Sequence, residues 1–299
     1  MIEELGFYCH YGAGDIFESR EFVRTLMDKI PAKKYVYYNG KSPRLLMDIP
    51  NLEVDNKVPE FMNPMSSVIQ AFIGKLYINT WIGRDGRYVL PGSGCTVEKL
   101  FQMYNDILYE LNISPLGGIP TDYLTSFDYS MYGVEKIDKF MAKFSGRKKV
   151  YISNGNVQSN QAKNFDMDVM ISSLALTFPD ILFFVSQALL IDTSLVPNVV
   201  NMNQFTPEYP SKLATNLVEL SYLSTFCDLI IGRNSGPQVF AWTKDNCFSD
   251  KANITFTYNH GCHHFVHSSP IKMKKYWADF MTTEETFLVT KKVIEDNLI

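Results

Sequence analysis

The sequence predicts an α/β protein made of two Rossmann-like, doubly wound domains facing a central cleft. Three observations predict it. Short apolar strands alternate with helical stretches, and this rhythm restarts at Val150 after a basic, glycine-containing stretch, Ser145-Gly146-Arg147-Lys148-Lys149. Such alternation folds as parallel sheets with right-handed crossovers. A glycine-bearing strand-to-helix turn stands early, at His10-Tyr11-Gly12-Ala13-Gly14-Asp15, and another stands late, at Gly232-Arg233-Asn234-Ser235-Gly236-Pro237. Both fall at carboxyl ends of strands, where open α/β sheets bind ligands.

Leu5 to His10 reads as a buried strand, with Tyr11 to Asp15 as its turn. Phe17 to Ile30 has apolar residues at Phe22, Val23, Leu26, Met27 and Ile30, the spacing of one helical face. Lys34 to Tyr38 is the next strand, and Asn39 to Asn63, punctuated by prolines, reads as irregular. Lys75 to Ile82 is a strand, and Thr96 to Leu111 is an amphipathic helix with Thr96 as N-cap. A helix from Val134 to Phe144 closes the first domain, so the boundaries are 1–146 and 147–299.

The second domain repeats the pattern. Its strands are Val150 to Ser153, Ile181 to Val185, Asn198 to Met202, Leu229 to Ile231 and Asn253 to Tyr258. Its helices are Asp168 to Thr177, Leu213 to Phe226 and a run opening after Ser235. A last helix runs from Glu284 to Leu298, and packing back across the first domain is one placement open to it.

Composition narrows the function classes. A chain of 299 residues, 46% hydrophobic and 20% charged, reads as globular and long enough for two cores. A net charge of −4 supplies no basic field for nucleic acid or an anionic membrane surface. The first residues, Met-Ile-Glu-Glu-Leu-Gly, lack the basic and apolar regions of a signal peptide, and no apolar run approaches a membrane span. Five scattered cysteines fit reduced thiols, so a cytoplasmic location is expected.

The late turn is an anion-site candidate. A helix opening after a small-residue turn leaves backbone N–H groups and the positive end of its dipole free. Asn234 or Ser235 suits the N-cap, Gly236 and Pro237 suit the first turn, and Arg233 adds a fixed positive fork of donors. The plain alternative is an ordinary βα turn. At the early turn, Asp15 and His10 are both candidates to accept a proton. Asp15 is equally a good helix cap, and His10 equally a hydrogen-bonded structural residue.

Metal readings are weaker. Asp166-Met167-Asp168 spells a metal-binding Asp-x-Asp, but it opens a helix, where acidic capping is the better account. The run His260 to His267 lacks the second cysteine pair that a zinc site wants, and adjacent His263 and His264 would point opposite ways on a strand. Its remaining functional reading sets His260 or His264 against a phosphate in the cleft. No metal is expected. A nucleophile elbow, a Walker loop and the third glycine of a dinucleotide fingerprint are all missing.

Two such domains with a phosphate-ready turn in the second resemble GT-B glycosyltransferases, and more closely the heptosyltransferase-like, family 9-like group. That group opens with a strand and a Gly-x-Gly-Asp turn, matched here by Gly12-Ala13-Gly14-Asp15, and carries a late Ser/Thr-Gly turn, matched by Ser235-Gly236. Asn234 and Pro237 depart from the pattern, and no histidine follows at the usual place. The resemblance implies metal-independent transfer of a sugar from a nucleotide-activated donor to a glycan or other hydroxyl acceptor, with no cofactor beyond that donor. It makes 1–146 the acceptor domain, with Gly12 and Gly14 in the acceptor-side turn and Asp15 as base. It makes 147–299 the donor domain, with Ser153, Asn154 and Gln158 on the donor phosphates and the segment around Asn203 near the nucleobase. A sugar-nucleotide epimerase of the same architecture and a non-catalytic nucleotide- or glycan-binding protein remain the alternatives.

Overall fold

The computed structural model describes residues 1–62, 69–81, 96–118, 123–158, 161–205, 215–258, 271–278 and 282–299. Among them, two separate sheets form, of five and six strands. The chain divides into two compact units after Met131.

In the first unit the central strand β1 (Glu4–Cys9) is buried along its whole length and pairs in parallel with β2 (Tyr35–Asn39) and β5 (Lys75–Asn79). β3 (Leu52–Asp55) extends the sheet beyond β2, and β4 (Ile69–Phe72) adds antiparallel to β5. The order is therefore β3-β2-β1-β5-β4. Helix α1 (Ala13–Lys29) returns the chain from β1 to β2 and buries Ile16, Phe17, Phe22, Val23 and Leu26. Phe22 stacks on Tyr104 of α2 (Thr96–Glu110) with ring centroids 4.5 Å apart.

A buried charge cluster fastens α1 to the rest of this unit. The Asp48 carboxylate, fully buried, accepts from Arg20 at 2.5 Å, from Arg24 at 3.0 Å and from the Asp128 backbone N–H at 2.9 Å. Arg20 also donates to the Leu45 carbonyl at 2.7 Å and lies 4.1 Å over the Phe127 ring. The cluster thus joins the helix, the segment after β2 and the stretch around residue 128.

The second unit holds β6 (Lys149–Ser153), β7 (Leu182–Val185), β8 (Val199–Asn201), β9 (Leu229–Arg233), β10 (Ala252–Phe256) and β11 (Lys274–Ala278). All pairs are parallel, and the order is β11-β10-β9-β6-β7-β8. Counted from β6, this is the doubly wound 3-2-1-4-5-6 arrangement, which reverses direction between β6 and β9. On one face, Val150, Ile152, Leu229, Ile231 and Ile254 pack with α4 (Met167–Thr177) and α8 (Thr283–Leu298). α3 (Glu135–Met141), α5 (Leu217–Ser224), α6 (Gly236–Val239) and α7 (Lys244–Cys247) complete the unit.

The structure departs from the sequence reading in several places. α1 starts at Ala13, so Gly14 and Asp15 lie in its first turn. β3, β4 and β11 were not expected; each is a short strand at a sheet edge with exposed positions, which weakens its apolar alternation. The unit division precedes the expected boundary at 146, because Phe140 and Phe144 pack edge-on against Phe184 of β7. The sequence left open whether α8 packs on the first domain; its buried Val293 and Ile294 belong to the second unit's core. Among the described residues, no helix is long and apolar enough to cross a membrane.

Replacing Asp48 with alanine removes the hydrogen-bonded counter-charge of the buried Arg20 guanidinium and leaves it only Glu21 at 3.8 Å. The expected loss is about 3–5 kcal/mol of unfolding free energy, measured by urea denaturation.

Candidate functional site

In the second unit the strand order reverses between β6 and β9, so the ligand crevice of a doubly wound sheet lies beyond Ser153 and Arg233. The predicted residues Ser153, Asn154, Arg233, Asn234, Ser235 and Gly236 do gather there. Their side chains, however, are used differently from the expectation.

Arg233 is the main correction. It was expected to reach out toward an anion, but it is 1% exposed. Its Nε donates to the Lys163 carbonyl at 3.2 Å, and one terminal nitrogen donates to the Asn154 and Gly155 carbonyls at 3.2 and 3.0 Å. The other terminal nitrogen donates to the Phe165 carbonyl, and the guanidinium lies 4.6 Å over the Phe165 ring. The cause is strand parity: Arg233 is the last residue of β9 and points to the same face as Leu229 and Ile231. Burial lowers its pKa to about 10, against the pull of Asp166 and Asp168, so it stays charged at neutral pH. Arg233 therefore acts as a buried positive post that pins the 154–165 loop.

That loop has further ties. Asn164 accepts from the Val157 N–H at 2.8 Å and donates to the Val157 carbonyl at 2.9 Å. The Gln161 carbonyl accepts from the Tyr258 N–H at 2.9 Å and from the Thr257 hydroxyl at 3.2 Å. Asn154 is also corrected. Its side-chain oxygen accepts from the Ser186 hydroxyl at 3.0 Å and the Gln187 N–H at 2.8 Å, while its Nδ2 donates to the Gln187 carbonyl at 3.0 Å. It clasps the loop after β6 to the loop after β7. Ser153 is buried beside Gly232 in strand register, while Gln158 is exposed on the loop.

Asn234 is buried as well and donates from Nδ2 to the Thr257 hydroxyl at 3.1 Å. Ser235 caps α6 with extended backbone angles, but α6 has only four residues. A single turn sums few peptide dipoles, so the expected macrodipole shrinks to the local N–H groups of the Ser235-Gly236 turn. Gly232 leaves room for the buried Gln238 side chain, whose Oε1 would lie 1.9 Å from a Cβ at that position and would have to move to admit one.

The other predicted residues are placed as follows. Asn203 is exposed after β8, and its N–H donates to Asn201 Oδ1 at 3.0 Å. His260 and His264 lie outside the described residues. Asp166 caps α4 by accepting from the Val169 N–H at 3.1 Å, and Asp168 accepts from the Leu190 N–H at 2.7 Å. Among the described residues, no group of three or more His, Cys, Asp or Glu side chains is arranged to hold a metal.

In the first unit, the carboxyl ends of β1, β2 and β5 bring together His10, Tyr11, Gly12, Asn39, Thr80 and Trp81. Asp15, at the third position of α1, turns back so that Oδ2 accepts the Gly12 N–H at 3.0 Å. Burial, aided by Glu18, pushes its carboxyl up to about 6 against the lowering pull of that N–H. Asp15 thus closes its own helix start and is also a carboxylate tuned toward neutrality. Gly14 is buried in the same turn. His10 Nε2–H donates to the Met62 carbonyl, which fixes the tautomer and leaves Nδ1 as the basic nitrogen. The neighbouring Cys9 thiol is buried and pushed up to about 12, which makes it a poor nucleophile.

The sequence reading missed Tyr11, Trp81 and Asn39. Tyr11 and Trp81 stack with centroids 3.7 Å apart and planes at 26°. The only available signal was that each lies at or close to a strand end.

No protein-family model matches the sequence, and no curated protein matches it. Solved structures do match in fold. E. coli ADP-heptose LPS heptosyltransferase II aligns over 98% of this chain and 99% of its own, with TM-score 0.53 and 13% identity. E. coli heptosyltransferase WaaC with ADP aligns over 98% and 99%, with TM-score 0.52 and 9% identity. A glycosyl transferase family 9 protein from Veillonella parvula DSM 2008 covers 97% of this chain and 91% of its own, with TM-score 0.51 and 11% identity. The chain therefore has the GT-B fold of these proteins, two Rossmann-like units in succession.

The two accounts of Arg233 separate experimentally. As a post, Arg233→Ala orphans four loop carbonyls, lowers stability by about 2–4 kcal/mol and speeds amide exchange across 155–165. As a free anion ligand, it would leave both unchanged.

Proposed function

We propose that this chain is a glycosyltransferase that moves a sugar from a nucleoside-diphosphate sugar to a hydroxyl acceptor. The observation that carries this reading is Asp15, a carboxylate at the carboxyl end of the first unit's central strand with its pKa near 6. The GT-B fold supports it, since the aligned solved structures are heptosyltransferases and a family 9 glycosyl transferase.

The chemistry follows from the groups present. The acceptor hydroxyl loses a proton as its oxygen attacks the anomeric carbon, and Asp15 takes that proton while ionised. Attack with an enzymic base and no covalent intermediate inverts the anomeric centre. His10, through Nδ1, is the runner-up base.

On the donor side, the bond from the anomeric carbon to the diphosphate oxygen breaks, and the diphosphate leaves with extra negative charge. The local N–H groups at Ser235-Gly236 stabilise it, with no metal needed in this scheme. The buried Arg233 charge, committed to loop carbonyls, adds a positive field at this end of the sheet. Gln158, exposed on the pinned loop, is a direct donor contact in this scheme, while Asn154 serves by holding that loop.

A thermal-shift panel of UDP, GDP, CDP, ADP and their sugars tests donor binding. A cognate nucleotide at 100 times its Kd adds about 2.7 kcal/mol of stability. No shift with any of them at millimolar levels overturns the proposal. Conversion of the donor without an acceptor identifies an epimerase instead.

Asp15→Asn is expected to keep the donor shift and lose about 10²–10⁴-fold in kcat. In the parent protein the rate falls about tenfold per pH unit below about 6, as Asp15 gains a proton. The sign for stability is the reverse of a salt-bridged carboxylate. The folded state holds this proton more tightly, so ionisation costs stability as pH rises from the ordinary 3.8 to about 6. The melting temperature of Asp15→Asn relative to the parent therefore climbs through that window and levels off above it.

A further inference from the structure

The stacked pair Tyr11 and Trp81 stands at the strand ends where the first unit's sheet changes direction. Tyr11 follows β1 by two residues, and Trp81 follows β5 by two. Their stack is close, 3.7 Å between centroids, yet Tyr11 remains 37% exposed. A stack that only filled a core would be covered. This one presents aromatic surface at the crevice end of the sheet.

The backbone that carries Trp81 is fixed by hydrogen bonds. The Asn79 side-chain oxygen accepts the Trp81 N–H at 3.1 Å, which turns the chain sharply at the end of β5. Thr80, 1% exposed, donates through its N–H and its hydroxyl to the Tyr8 carbonyl at 3.0 and 3.2 Å. The Tyr37 hydroxyl meets the Thr80 hydroxyl at 2.7 Å. A ring anchored in this way loses little freedom when something stacks on it.

Polar groups sit at the same strand ends. Asn39 pairs in register with Cys9, is fully buried, and its Nδ2 has no hydrogen-bond partner among the described residues. Its Oδ1 is taken by the Lys41 N–H at 2.7 Å, so the amide's orientation is set and Nδ2 is the end left to donate. Asp15 supplies a carboxylate acceptor four residues beyond Tyr11.

We infer that Tyr11 and Trp81 form a stacking platform for a pyranose ring, so that the acceptor is a sugar and these two residues set its position. A pyranose has an apolar C–H face that packs on an aromatic ring and a rim of hydroxyls that need both donors and acceptors. An aromatic face at the strand end, with the Asp15 carboxylate held to the Gly12 N–H next to Tyr11, matches that combination. A phosphate-bearing ligand fits less well, because the nearest acidic groups of α1, Asp15 and Glu18, repel it. This inference rests on the glycosyltransferase reading for the role of the bound sugar, but not for the binding itself.

The test measures binding and turnover separately on the full chain. Saturation-transfer NMR with methyl α- and β-pyranosides of glucose, galactose and mannose, and with lactose and cellobiose, is run on the parent, Tyr11→Ala, Trp81→Ala and Tyr11→Phe. The expected result is ring C–H saturation from at least one pyranoside, lost in both alanine variants and kept in Tyr11→Phe. In turnover, the alanine variants raise the acceptor KM tenfold or more and leave the donor KM within twofold. Retained nucleotide-induced thermal shifts show that the variants are folded.

An unchanged acceptor KM in Trp81→Ala and Tyr11→Ala overturns the inference, as does saturation from nucleosides but from none of the pyranosides. If nucleotide sugars bind and are turned over while no pyranoside contacts the stack, the platform fails and the transferase reading stands. If pyranosides bind through the stack while no nucleotide binds, the transferase reading fails and the platform stands.

Discussion

The guanidinium of Arg233 is the interaction on which the second unit's functional end depends. It gathers carbonyls from Asn154, Gly155, Lys163 and Phe165 around one buried cation. Those carbonyls span the whole connection from β6 to α4, so a single side chain shapes the loop that borders the β6–β9 crevice. Such a connection is long for an α/β unit, and without internal ties its open conformations would carry a large entropy. A planar fork suits the task because it can hold several carbonyls at fixed angles, which a lysine ammonium cannot do as well. Asn154, Asn164 and Gln161 close the loop at further points.

This arrangement changes how charge works at the site. A surface arginine would give flexible, solvent-screened contacts to an anion. A buried one gives a weaker direct contact but a field that is not lost to water. With Arg233 committed to loop carbonyls, the N–H groups of the Ser235-Gly236 turn are the donors that the proposed function assigns to the diphosphate. The same division between support and surface recurs in the first unit. There Asp48 holds α1 in place through Arg20 and Arg24, and α1 in turn carries Asp15 on its first turn. Because the Gly12 N–H and the helix start favour the carboxylate while burial disfavours it, the net shift is set by a balance of opposed effects.

The second unit also shows why polar residues at strand ends are hard to read. Asn154 and Asn234 both look like exposed turn donors, and both are buried and committed to backbone or neighbouring side chains. Buried backbone groups at sheet ends must be satisfied by something. Small polar side chains that follow a strand are the nearest groups able to do it. Only after that demand is met do the remaining groups, such as Tyr11 and Gln158, stand out as those turned toward solvent.

The alternation of strands and helices, the restart at Val150 and the two carboxyl-end turns were legible in the sequence, because hydrophobic period and glycine placement are local properties. They were enough for the α/β class, for two successive units and for the positions of Asp15 and Ser235-Gly236. The edge strands β3, β4 and β11 were not legible, since a half-solvated strand carries little apolar alternation. The role of Arg233 was nearly legible: had the strand been read through to residue 233, its period of two would have turned that side chain toward the core. Other properties depended on residues far apart in the chain. The pKa of Asp15 depends on how deeply α1 is buried, the stack of Tyr11 on Trp81 depends on β1 lying beside β5, and the anion turn lost its long helix when α6 stopped after one turn. The sequence by itself determined the main alternation of strands and helices and where the glycine-bearing turns fall, at carboxyl ends of strands. Tertiary structure decided which side chains at those turns are spent on holding the fold and which remain for a ligand, because burial and hydrogen-bond demand are set by neighbours that no local pattern names.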